Sequence, residues 1–138
     1  MTPLQLRLLD PVVAVHAGAA VLALALGAWV ILAPKGTAAH RLAGRAWVLA
    51  MATAAASSFA IDARLLAVAT PLGAFGPIHL LSAFTLAQLA RAVSAIRRRD
   101  VVVHRRAMVG SFAGLAIAGV FAMLPGRTLG AWLLAALG

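Results

Sequence analysis

The sequence predicts an all-α integral membrane protein, a single domain of four transmembrane helices that run up-down-up-down as two repeated helical hairpins. Of its 138 residues, 64% are hydrophobic and 11% are charged, and the mean hydropathy is +1.02. A water-soluble domain of this size does not have such a composition. The apolar residues form runs of about 20, the length of a bilayer-crossing helix. They do not alternate with polar residues as the strands of a membrane barrel do.

Four spans are predicted, over about 11–33, 38–61, 77–97 and 103–124. The first begins with Asp10 as its N-cap and Pro11 at the first helical position. Proline, lysine and glycine at 34–36 end it. The link over 65–76 is apolar but broken by proline and glycine, so we expect it to lie along the membrane interface. The last segment, 128–138, is too short to cross and is predicted to be interfacial.

The charge distribution predicts the orientation of the spans. The net charge is +9, and nine of the twelve basic residues lie in or beside the two hinges that close the hairpins. These nine are Lys35, Arg41, Arg45, Arg91, Arg97, Arg98, Arg99, Arg105 and Arg106. Arg7, Arg64 and Arg127 lie at the other ends of the spans. By the positive-inside rule both hinges are cytoplasmic and both termini periplasmic, in a bacterial inner membrane. Since the cations follow the topology, a nucleic-acid partner is not expected.

Two absences limit the chemistry. The chain has no cysteine, which excludes disulfides, thiolate metal sites, iron–sulfur clusters and covalently attached haem. It also has no glutamate, and its three acidic residues are aspartates at the ends of spans. Catalysis by paired carboxylates or by an aspartate-oriented histidine therefore has no suitable residues. We predict no catalytic residue.

Four histidines form an internal repeat, one near the start of each span: His16, His40, His79 and His104. The first two are 24 residues apart and the last two 25, and the second hairpin follows the first at an offset of 63 to 64 residues. Such spacing indicates two hairpins in nearly the same register. Because alternate spans are antiparallel, His16 and His79 are predicted at the outer side and His40 and His104 at the cytoplasmic side.

Imidazole is costly inside a bilayer, so each pair is a candidate site. Two neutral imidazoles from different helices can ligate a haem iron from both faces, or supply two nitrogen ligands to copper or zinc. Met51 and Met108 are candidate soft ligands for copper. The alternatives are that His40 and His104 are interfacial residues at the headgroups and that His16 is a hydrogen-bonded packing residue.

Haem b also needs small residues beside the porphyrin and cations for its propionates. Gly27 follows His16 by eleven residues on the same helix face, and Ala90 follows His79 at the same interval. Arg64 or Arg127 could meet the propionates of an outer haem. Four arginines next to the hinge histidines are predicted to bind the cytoplasmic propionates: Arg41, Arg45, Arg105 and Arg106.

Several motifs carry a resemblance to known families: His40-Arg41-x-x-Gly44-Arg45, Gly76-Pro77-Ile78-His79, His104-Arg105-Arg106-x-Met108 and Leu124-Pro125-Gly126-Arg127. With them the chain resembles a bacterial family of small integral membrane proteins catalogued as a domain of unknown function, which implies no reaction. In its histidine layout it also resembles the ascorbate-linked diheme b-type transmembrane cytochromes, which pair the histidines of the first helix with the third and of the second with the fourth. In size it is similar to four-helix membrane factors that assist the maturation of haem–copper oxidases.

The leading expectation is therefore a b-type haem protein that transfers electrons, with His16 and His79 as ligands of one haem and His40 and His104 of another. One alternative is a non-enzymatic accessory or assembly factor of a respiratory membrane complex, binding haem or copper. Another is a structural subunit of a larger redox membrane complex. In each case the chain is embedded in the lipid bilayer.

Overall fold

The computed structural model describes residues 10–61 and 77–124. These ranges form four α-helices and contain no strand: α1 (Pro11–Leu32), α2 (Ala38–Ser58), α3 (Pro77–Arg97) and α4 (Val101–Ala122). The all-α prediction is confirmed. The predicted link over 65–76, the segment 128–138 and three of the arginines lie outside the described residues: Arg7, Arg64 and Arg127.

Side-chain caps determine where three of the helices begin. The Asp10 carboxylate accepts a hydrogen bond from the Val12 amide at 2.9 Å, and Thr37 Oγ1 accepts from the His40 amide at 3.1 Å. Asp100 accepts from the amide of Val103 at 3.0 Å. Because Asp100 caps the first turn, α4 begins at Val101, two residues before the start predicted from the apolar run.

The first hinge, residues 33–37, is closed by two cations. Lys35 Nζ donates to the carbonyl oxygens of Val30 at 3.0 Å and Ala33 at 2.9 Å, and also to that of Ile31. Arg41 Nη1 donates to the carbonyl oxygen of Gly36 at 2.6 Å. A cation at the carbonyl end of a helix satisfies groups that have no partner within the helix.

The second hinge, residues 98–100, turns through a left-handed residue that is not glycine. Arg99 has a φ of +63°. The next amide, that of Asp100, donates back to the carbonyl oxygen of Ala95 at 2.9 Å. This is a Schellman-type end, which usually places glycine at the left-handed position.

Each helix packs on two others. α1 packs on α2, α2 on α3 and α3 on α4, and a lighter contact between α1 and α4 closes the ring. The diagonals are therefore α1–α3 and α2–α4. At the centre Trp47 is 2% exposed and packs with Ala23, Ala50, Met51 and Leu89. Its Nε1–H donates to the carbonyl oxygen of Ala23 at 2.8 Å, which satisfies the one polar atom of this ring.

The outer surface of the bundle is apolar. Leu32 is 85% exposed, Leu80 76% and Leu42 70%, a pattern that water disfavours and lipid allows. Three helical segments of the described chain are long and apolar enough to cross a bilayer: 11–32, 79–97 and 101–122. The helix α2 is less apolar because it carries Arg41 and Arg45. It is also well enclosed by its neighbours, with six buried residues. A helix of 22 residues spans about 33 Å, close to the thickness of the hydrocarbon core.

Candidate functional site: two histidine layers

The histidines lie in two layers. We call His40 and His104 the hinge layer, because both lie near residues 33–37 and 98–100, and we call His16 and His79 the far layer. On α2, the residue that contacts the far-layer histidine His16 is Ala54, fourteen residues after His40. At 1.5 Å per residue the two layers are about 21 Å apart along the bundle.

His16, on α1, is held by the last turns of α2. Its Nδ1 is 2.8 Å from the backbone carbonyl oxygen of Ala54. Because a carbonyl oxygen only accepts hydrogen bonds, Nδ1 carries the proton and Nε2 keeps its lone pair. Ser57 Oγ donates to the same carbonyl at 3.1 Å and lies 3.3 Å from Nδ1. This is the tautomer of a histidine that binds a metal through Nε2.

His79, on α3, is only 5% exposed. Its ring centroid is 5.8 Å from that of Phe59, with the ring planes at 48°. One turn further along α3, Ser82 Oγ accepts a hydrogen bond from Ser58 Oγ at 2.6 Å. Both far-layer histidines therefore lie against the C-terminal end of α2, on opposite corners of the α1–α3 diagonal.

His104, on α4, repeats the arrangement of His16. Its Nδ1 is 3.0 Å from the backbone carbonyl oxygen of Ala92 on α3, and Ala92 is fully buried. Here too Nδ1 is the donor and Nε2 keeps its lone pair. In each hairpin, one histidine is thus oriented by a backbone carbonyl of the partner helix.

Nδ1 of His40, on α2, is buried and has no hydrogen-bond partner among the described residues. It is the one imidazole nitrogen of these residues in this situation. His104, the other hinge-layer histidine, is on α4, so both lie at the same end of the bundle. A buried polar atom without a partner in the protein is a place where a water molecule, an ion or a ligand can bind.

A small apolar cavity of about 20 Å³ lies between α1 and α4, one turn deeper than the hinge layer. Its lining residues are Gly27, Val30, Ile31, Trp47, Met108 and Phe112. Met108 follows His104 by one turn and so can approach the hinge layer. Met51 packs in the core, about 16 Å along α2 from His40. Of the two predicted copper-binding methionines, Met108 is one turn from a hinge-layer histidine, whereas Met51 lies one turn before Ala54, which contacts His16.

Gly27 makes room for two aromatic rings. A Cβ atom there would lie 2.5 Å from Trp47 Nε1 and 2.5 Å from Phe112 Cδ2. The space over this glycine is therefore filled by side chains of the protein. A flat cofactor would reach Gly27 only if these rings moved, so its predicted cofactor role stays a prediction.

The four predicted arginine ligands are exposed at the hinge end. Arg41 is already bonded to the carbonyl of Gly36. Arg45, Arg105 and Arg106 have no acceptor among the described residues. These three are free to bind an anionic group, and within the described residues none of them hydrogen-bonds to a histidine of the site.

Sequence reasoning missed the acceptors and the buried hydroxyls. Ser58, Ser82 and Ser111 are each at most 7% exposed, and Ser111 Oγ lacks a partner within the described ranges. A serine in an apolar span can be recognised from the sequence. The carbonyls of Ala54 and Ala92 cannot, because every residue type has a backbone carbonyl.

The model of a family described as predicted membrane protein (DUF2306) matches residues 13–132. The matched segment is well over half of the chain, and it includes all four histidines and both hinges. No curated protein and no solved structure matches the chain. With its apolar helical bundle and a match over nearly its whole length, the chain belongs to the DUF2306 family of predicted membrane proteins.

Proposed function

We propose that this membrane protein is a b-type haem protein that transfers electrons, with His16 and His79 ligating one haem and His40 and His104 a second. The supporting observation is the shared geometry of His16 and His104. Each donates its Nδ1–H to a backbone carbonyl of the neighbouring helix. The same bond would hold a packing histidine; for a metal ligand it also fixes the orientation of the ring and leaves Nε2 available to the metal.

The donor chemistry of both layers fits haem iron, which takes two axial imidazoles. In the hinge layer, a ligand would also give the buried Nδ1 of His40 the partner that it lacks. The space there sets a condition, because the cavity next to this layer holds about 20 Å³. A porphyrin in the hinge layer requires Trp47 and Phe112 to turn away from Gly27.

A bound haem supplies a reversible one-electron couple, and the protein's own residues hold and tune it. The carbonyls of Ala54 and Ala92 fix the orientation of two imidazoles. The exposed Arg45, Arg105 and Arg106 are the cations available for propionates at the hinge end. Placing the layers about 21 Å apart lets the bundle carry charge along the membrane normal.

For its location, we propose a bacterial inner membrane with the hinge end in the cytoplasm and both termini in the periplasm. The nine cations in or beside the hinges support this orientation. Electron transfer needs a donor and an acceptor, so a redox complex in the same membrane is the proposed partner.

The visible spectrum of the protein, purified in detergent from haem-replete cells, tests this function. After reduction by dithionite we expect the sharp bands of six-coordinate b-type haem. His16→Ala should remove the far-layer contribution, and Ser57→Ala, the matched control, should keep it because Ala54 still accepts from His16. A colourless wild-type preparation would contradict the proposal.

A second candidate function, accessory binding of copper, is favoured by one observation. His40 Nδ1 is buried without a partner, His104 lies at the same end of the bundle, and Met108 is one turn from His104. Two imidazoles and a thioether form a neutral, soft ligand set that suits monovalent copper, and a single ion needs far less room than a porphyrin. Metal analysis should return about one copper per chain, lost in Met108→Leu and retained in Met51→Leu. Copper-free protein from copper-replete cells would rule this function out.

A further inference from the structure

The hinge end of the bundle concentrates positive charge that the protein itself does not neutralise. Nine cations lie in or beside the two hinges. Asp100 is the one acidic residue at this end, and its carboxylate is already used as the N-cap of α4. Among the described residues, no ion pair joins a hinge cation to a carboxylate.

Only some of these cations have partners. Lys35 and Arg41 donate to backbone carbonyls, and Arg98 Nη1 donates to Ser94 Oγ at 2.9 Å. The other six, all arginines, have no acceptor in the described ranges and are exposed: Arg45, Arg91, Arg97, Arg99, Arg105 and Arg106. An exposed guanidinium group without an acceptor can bind phosphate oxygens through two parallel hydrogen bonds.

The positive potential of the hinge end comes from the cations and not from the helix dipoles. At this end α2 and α4 begin and α1 and α3 end, so the partial charges of the four helix ends largely offset one another. Since α2 and α4 both begin at this end, the exposed arginines at 41, 45, 105 and 106 lie at the same end of the bundle.

Apolar side chains lie among the same charges. Leu42, between Arg41 and Arg45, is 70% exposed, and Val101 and Val102, just before His104, are each 60% exposed. A surface that presents free guanidinium groups beside exposed aliphatic groups matches a molecule with a phosphate head and an acyl chain. A free phosphate ion would bind the guanidinium groups but would leave the aliphatic side chains exposed.

We propose that the hinge end binds the headgroup of an anionic phospholipid, with a two-phosphate lipid of the cardiolipin class preferred. Arg45, Arg105 and Arg106 hold the phosphates, and Leu42 and Val102 contact the first carbons of the acyl chains. Two phosphates suit the site because its free arginines come from two helices, α2 and α4. This site does not depend on whether the histidines bind haem.

Native mass spectrometry of the full-length protein in nonionic detergent tests the proposal. Cardiolipin, phosphatidylglycerol, phosphatidylcholine and inorganic phosphate are titrated separately. Cardiolipin should bind most tightly and phosphatidylcholine most weakly. A basic residue at a lipid surface contributes about a fivefold change in affinity, so Arg105→Gln with Arg106→Gln should weaken cardiolipin binding by about 25-fold.

Two variants make the result specific. Arg105→Lys with Arg106→Lys keeps the charge and should lose less than the glutamine pair. Arg98→Gln, with an arginine that is already bonded to Ser94, should lose about fivefold or less. Circular dichroism identifies any variant that fails to fold, and the lysine pair then supplies the comparison. The proposal is overturned if phosphatidylcholine binds as tightly as cardiolipin, if inorganic phosphate competes as well as the lipid, or if the folded glutamine pair binds like wild type.

Discussion

His16 on α1 donates its Nδ1–H to the backbone carbonyl oxygen of Ala54 on α2, over 2.8 Å. His104 on α4 makes the equivalent bond to Ala92 on α3, over 3.0 Å. The two hairpins thus orient one histidine each by the same device, at opposite ends of the bundle. The proposed cofactor chemistry rests on this relationship, whereas the stability of the bundle rests on packing that can be tested separately.

Gly27→Ala should destabilise the bundle by about 1–3 kcal/mol, the usual cost of forcing an extra carbon into a packed interior. Its Cβ would lie 2.5 Å from both Trp47 and Phe112. Gly18→Ala is the matched control, because no side chain lies within 4 Å of its Cβ position. That change should be neutral or stabilise by up to about 1 kcal/mol. Unfolding of both variants by a denaturing detergent, followed by circular dichroism, compares them, and equal midpoints would contradict the close packing.

Arg99→Gly should stabilise the second hinge. Arg99 has a φ of +63°, where a side chain costs about 1–2 kcal/mol and glycine costs little. Gly36 lies in the same region of φ, at +78°, so Gly36→Ala should destabilise by a similar amount. The same unfolding assay should move the two midpoints in opposite directions. If both midpoints moved in the same direction, the left-handed backbone conformation at Arg99 and Gly36 would not explain the changes in stability.

Ser58 and Ser82 should show energetic coupling across the α2–α3 contact. Their hydroxyls are 2.6 Å apart and buried. Hydrogen bonds between membrane helices contribute about 0.6 kcal/mol on average. A double-mutant cycle with Ser58→Ala and Ser82→Ala should therefore return a coupling of this size, and simple additivity would argue against the bond.

The orientation predicts the behaviour of reporter fusions. A reporter after Gly138 should be active on the periplasmic side, and one inserted after Lys35 should be active in the cytoplasm, because the hinge cations are retained inside. The reverse pattern would overturn the orientation and the assignment of the hinge layer to the cytoplasmic side.

Much of the fold could be predicted from the sequence because each helix has an unbroken apolar run and a visible end signal. The start of α1 follows from Asp10 and Pro11. The sequence predicts that α2 ends at residue 61, but the helix ends at Ser58, since the alanine-rich run gives no stop signal before Asp62. It predicts that α4 begins at residue 103, two residues late, because Asp100 lies inside a basic cluster and does not stand out as an N-cap.

The site could be predicted only in outline. The repeat predicts which histidines share a layer, and the pairings themselves stay predictions. The acceptors of His16 and His104 are backbone atoms, which residue types do not reveal. The packing of Trp47 against Gly27 depends on how α1 and α2 approach each other, so a small residue expected to face a cofactor faces an indole.

If both histidine layers hold haem, each chain binds two haems, and counting the haems per chain in matched variants tests this. The wild type should contain two haems per chain by pyridine haemochrome assay. His79→Ala should retain one, and His79→Ala combined with His104→Ala should retain none. Wild-type protein from haem-replete cells without haem, or a double variant that keeps both, would contradict the account.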